Sequence, residues 1–172
     1  SLEDVIRDLA RIIEEAERRN KTVLDELRKT IKELVEENEK VLDEDDKKSR
    51  ELEKRLDKEE LLDRLRKENK KLKDHVRKKN EEAKKRLKEL EDHVRRVIEE
   101  LKRELDKLRR EAKDLGSRRL REEIKRLLRE SEKHVEDLRR EIERIKRENE
   151  EHLKKWRRDS ERLEKEVEDA KR

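Results

Sequence analysis

Apolar residues recur along this chain every three or four positions and almost without interruption. Leu2, Val5, Leu9, Ile13, Ala16, Asn20, Leu24, Leu27, Ile31, Leu34, Asn38 and Leu42 form a first series. Its steps average about 3.6 residues, which is the narrow stripe of an amphipathic helix. The stripe continues in phase through Asp45, Ser49, Leu52 and Leu56. The polar patch 43–49 can be read as a loop or as continuous helix; the unbroken phase and the lack of Gly or Pro favour helix. Asp57-Lys58-Glu59-Glu60 then reads as a turn, with Asp57 as N-cap and Glu60 as its partner acid. A second stripe runs from Leu62 and Leu65 through Val76, Ala83, Leu87 and Val94 to Leu115, where Gly116-Ser117 marks a helix end and a new cap. A third runs from Leu120 through Ile124, Leu138, Leu153 and Trp156 to Ala170. The prediction is an all-α, single-domain chain over residues 1–172 with helices of about 2–56, 58–115 and 118–172. Each would be roughly 80 Å long at ~1.5 Å per residue. Equal lengths and short turns imply an elongated up-down-up antiparallel three-helix bundle, coiled-coil-like but with nearly straight helices.

Polar residues inside the stripes repeat. Asp74-His75-Val76-Arg77 recurs as Asp92-His93-Val94-Arg95, Asn20 recurs as Asn38, and Ser131 with His134 recurs as Asn149 with His152, each 18 residues on. At ~100° per residue such a shift is five whole turns, so each pair shares a helix face. Matching levels between antiparallel neighbours predicts two cross-sections, Asn20/His93/His134 and Asn38/His75/His152. A weaker third layer would join Asp45, Asn69 and Ser160. The structural reading of such layers is a buried hydrogen-bond network that penalises misregistered packing. A metal site is a poorer reading, because two His and one amide are a weak ligand set. Histidines at the boundary with no specific role are the third.

Composition narrows the class. Only 27% of the residues are hydrophobic and 63% are charged, which suits either disorder or long helices. One Gly, no Pro and the periodic stripe select helices. The 56 basic residues nearly balance the 52 acidic ones, and the net charge of +4 gives no strong pull on nucleic acid or membrane. An acidic first helix beside two basic ones is expected to help pairing. Without Cys there is no disulfide or thiolate chemistry. No apolar run exceeds two residues, so neither a membrane span nor a signal-peptide core is predicted. Gly-rich phosphate loops and nucleophile motifs are lacking, and the many carboxylates fall on solvated faces, so no enzyme, cofactor or metal is expected. The Lys and Arg cluster between Arg64 and Lys88 lacks interleaved aromatics and reads as a solvated face rather than a nucleic-acid patch. Trp156, the sole Trp, reads as a core filler.

With the 18-residue repeat, an alphabet lacking Pro, Cys, Met, Phe, Tyr and Gln, and layered Asn and His on idealised helices, the chain resembles de novo designed parametric helical bundles with buried hydrogen-bond networks. The resemblance covers the whole chain. The patch 43–49 and the Gly-free first turn depart from the pattern. What it implies is a synthetic structural scaffold without enzymatic activity, monomeric, with no required partner. Two alternatives stay open. Histidine protonation would make the scaffold pH-responsive, and the apolar face at Val5, Ile6, Leu9, Ile12 and Ile13 would make it a subunit of a helical oligomer.

Overall fold

The computed structural model describes residues 1–170 and is all-α. Helix α1 spans Leu2–Arg55 and helix α2 spans Glu59–Ala170, with residues 56–58 between them. The predicted helical positions 171 and 172 lie outside the described residues. Ser1 caps α1: the Asp4 N–H donates to its Oγ at 3.4 Å, and its hydroxyl donates to Asp4 Oδ2 at 2.9 Å. The patch 43–49 is helical throughout, because Asp45 and Ser49 continue the interior stripe at 9% and 5% exposure. At the first turn the Lys58 carbonyl accepts the Leu62 N–H at 3.2 Å. Lys58 therefore occupies the N-cap position that the sequence assigned to Asp57.

The second predicted helix boundary takes a different form. Two helices are counted rather than three, and α2 carries one non-helical residue, Gly116, at φ 76 and ψ 163. A glycine that ends a helix ordinarily takes the left-handed conformation. The positive φ is present, but ψ is extended, a combination that only glycine adopts readily. One such residue bends the chain sharply enough that residues on either side of it share one apolar cluster.

The chain divides into two compact units. The first comprises Ser1–Lys29 and Leu87–Glu143. In it Val5, Leu9 and Ala16 of α1 pack with Leu101, Leu105, Leu108 and Ala112, and with Leu120, Ile124 and Leu127 beyond Gly116. Leu9 and Leu120 are fully buried. Ile6, Ile12 and Ile13 are half-buried against the same cluster. The face that suggested an oligomer subunit is thus largely consumed within the chain, and no large hydrophobic among the described residues is exposed.

The second unit comprises Thr30–Arg86 and the chain from Arg144 onward. It has two clusters. Val41, Val76, Leu153 and Trp156 form one, and Leu52, Leu56, Leu65 and Val167 form the other. Burying each such aliphatic is worth about 1.5–3 kcal/mol. In both units the stripe is narrow, so the remaining surface is charged.

Ion pairs join the segments at the rims. In the first unit Lys102 meets Glu17 at 3.2 Å and Arg28 meets Glu91 at 3.1 Å. In the second, Lys73 meets Asp46 at 2.6 Å and Lys48 meets Glu164 at 3.1 Å. α1 supplies the acid in some and the base in others, so its acidic bias alone does not dictate its neighbours. Pairs this exposed contribute about 0–1 kcal/mol each.

Nothing stands within 4 Å of a Cβ built on Gly116, so Gly116→Ala meets no steric obstacle and tests backbone conformation alone. Guanidinium unfolding followed by circular dichroism is expected to show a loss of about 1–3 kcal/mol, the usual cost of holding an L-residue in that region.

Candidate functional site: interior amides and paired histidines

An amide on the interior side of a narrow stripe is stripped of water and needs partners. Asn38 is 0% exposed. Its Nδ2 donates to Asn80 Oδ1 at 2.7 Å and to Asn149 Oδ1 at 3.1 Å, and its Oδ1 accepts from Asn149 Nδ2 at 3.1 Å. Both amide hydrogens and the carbonyl of Asn38 are thereby engaged. Asn20, 2% exposed, donates to the Ala16 carbonyl at 2.8 Å and to Ser131 Oγ at 3.3 Å. The Asn20–Ser131 and Asn38–Asn149 partners are both 111 residues apart, so the 18-residue repeat is also a repeat of contacts.

The histidines stand elsewhere. His93 and His134 are a pair, with rings 6.0 Å apart at 68°, and His75 and His152 are a pair at 5.9 Å and 78°. The pairing matches the levels expected for the histidines, but the amides are displaced from them. Asn38 meets Asn80, five residues beyond His75, and Asn20 meets Ser131, three residues before His134. Moreover His93 and His134 are exposed, while His75 and His152 are half-buried. The cause lies in the motif itself. Each histidine precedes a buried aliphatic, Val76, Val94, Val135 or Leu153. Adjacent helix positions diverge by ~100°, so where the aliphatic faces inward the histidine is turned to the flank.

The third layer separates likewise. Ser160 donates its hydroxyl to Asp45 Oδ1 at 3.1 Å, whereas Asn69 donates to the neighbouring Asp46 Oδ1 at 3.2 Å. Burial pushes the Asp45 carboxyl above the usual carboxylate value; the Ser160 bond opposes that, and nearby Asp46 adds to it. Asp46 moves the other way, held down chiefly by its bond with Lys73.

Half-buried His75 sits edge-on to Trp156 at 5.7 Å and 83°, while His152 stacks on the same indole at 5.7 Å and 17°. Desolvation lowers the His75 pKa, and Lys79, His152, Lys155 and Lys78 lower it further by charge repulsion. No group of three or more His, Cys, Asp or Glu among the described residues is placed to hold a metal ion. No helix among the described residues is long and apolar enough to cross a membrane.

Asn80 was not singled out from the sequence, yet a signal was present. The second stripe skips from Val76 to Ala83, and Asn80 fills the missing interior position at 6% exposure. Ser131 and Asn149 lie on the third stripe, and they, rather than His134 and His152 three positions on, bond Asn20 and Asn38. Compared with known proteins, the chain matches no family model, and no match was found among curated proteins or solved structures.

Two opposed pH responses follow. A lowered folded pKa at His75 means that the folded state binds fewer protons, so its contribution is complete above the ordinary value of 6.5 and is lost as pH falls below it. The guanidinium midpoint is expected to drop between pH 7.5 and pH 5, and to drop less in His75→Asn. A raised folded pKa at Asp45 means the reverse, a gain as pH falls from neutrality toward 3.8. Asp45→Asn keeps an acceptor for Ser160 without the buried charge, so its midpoint at pH 7 should rise above the parent's.

Proposed function

We propose that this chain is a structural scaffold without enzymatic activity, of synthetic origin, folded as an up-down-up antiparallel three-helix bundle in which interior amides fix the register. The Asn38–Asn80–Asn149 cluster carries this reading. A bundle cemented only by Leu, Ile and Val tolerates axial slips, since one aliphatic replaces another in each hole. A slip that parts three buried amides leaves donors and acceptors unpaired, at about 1–3 kcal/mol for each. Asn20 with Ser131 repeats the device in the first unit. The synthetic origin rests on the restricted alphabet and the 18-residue repetition of Asp-His-Val-Arg and of the interior polar positions.

The histidines support a second reading, a scaffold destabilised by acid. What favours it is half-buried His75, edge-on to Trp156 at 5.7 Å, whose charged form burial and the neighbouring lysines disfavour.

Substituting the amides tests the register reading. Asn38→Leu alone should lose about 1–3 kcal/mol, because it strands the amides of Asn80 and Asn149. Replacing all three by Leu should recover that stability while multiplying the amide resonances in a heteronuclear NMR spectrum, as alternative registers become populated. A single substitution as stable as the parent would show that the cluster does not penalise slippage. Light scattering at high concentration is expected to give the 21.4 kDa mass of one chain.

A further inference from the structure

The two histidine pairs are built alike but sit in different electrostatic surroundings. His93 and His134 stand on opposite sides of Gly116 in the sequence, with rings 6.0 Å apart, and both are exposed. Among the described residues no hydrogen bond to protein holds either ring, so their nitrogens keep lone pairs for water or another ligand. Of the charged residues one helical turn from them, and so on the same face, three are acids, Glu89, Glu130 and Asp137, and one is a base, Arg96. Glu130 and His134 also line one groove together with Glu100 and Glu104.

The second pair is the contrast. One turn from His75 and His152 stand Lys71, Lys78, Lys79 and Lys155 against Glu148, and Lys79, Lys155 and Lys78 repel positive charge at His75. A cation is therefore drawn to the first pair and held off the second. We propose that His93 and His134 together bind one divalent transition-metal ion, with water completing its coordination. Imidazole suits such ions, and among the common ones copper(II) binds it most tightly. Two rings on one ion, each nitrogen ~2.0–2.1 Å from it, hold their centroids roughly 5 Å apart. The observed pair is wider than this by about 1 Å, a gap that rotation of two exposed side chains closes. Glu130 and Asp137 already pair with Arg126 at 2.9 Å and Arg140 at 3.9 Å, so they contribute field rather than ligands. Bound there, the ion adds a coordinate link between the stretches of α2 before and after Gly116, whose apolar side chains already share one cluster. The site needs only this pair and stands whether or not the scaffold reading does.

The full-length chain at pH 7.5, in a buffer that does not bind metal, would be titrated with copper(II) sulfate while the heat of binding, Trp156 emission and the guanidinium midpoint are followed. The expected result is one saturable equivalent below millimolar copper and a midpoint that rises with copper, since an ion held by the folded chain alone stabilises it. His93→Asn and His134→Asn, exposed changes checked for helicity by circular dichroism, should each weaken that binding by about a hundredfold, because a single imidazole loses the advantage of two held together. His75→Asn should leave it unchanged. Trp156, which His75 and His152 both contact at 5.7 Å, should keep its emission through the first equivalent. The proposal is overturned by the absence of saturation below millimolar copper, or by unchanged binding in His93→Asn or His134→Asn. It is equally overturned by Trp156 quenching at the first equivalent that His75→Asn abolishes, which places the ion at the second pair.

Discussion

A carboxamide at zero exposure has lost its water and tolerates no arrangement in which it is left alone. Asn38 is in that position, and the three hydrogen bonds it shares with Asn80 and Asn149 answer it. The apolar stripe on either side is repetitive and nearly indifferent to axial position; leucine packs as well one turn up as one turn down. The amides are not indifferent, because their bonds fail beyond about 3.5 Å or a poor angle. Directional bonding at a few points thus selects among packings that the hydrophobic effect alone would leave close in energy.

The flanks obey a looser rule. Histidines placed one position before a buried Val or Leu are carried to the rim, where they meet a partner ring but keep contact with solvent. Around His75, Trp156 and neighbouring lysines crowd the ring, so burial and repulsion act on its charge in the same direction. Asp45 is the acidic counterpart, an ionisable group that continues the interior stripe and is tied by one serine hydroxyl. These two groups push the pH dependence of stability in opposite directions. Near them the Trp156 indole N–H and the Asn69 amide oxygen are buried without a hydrogen-bond partner.

The sequence by itself determined the helical character of nearly every residue, the continuity of α1 through residues 43–49, the interior stripe and the break at Gly116. All of these are short-range consequences of a period of about 3.6 residues and of glycine's access to positive φ. The face shared by residues 18 apart was equally legible, since five turns bring a helix back to its starting azimuth. Only the tertiary structure decided which amide meets which. Axial offset between segments depends on the length of the connection and on side-chain interdigitation, neither of which periodicity encodes, and so Asn38 found Asn80 rather than His75. The same holds for the surroundings of Trp156, which depend on how three segments of the second unit, carrying Val41, Val76 and Leu153, close around one large ring.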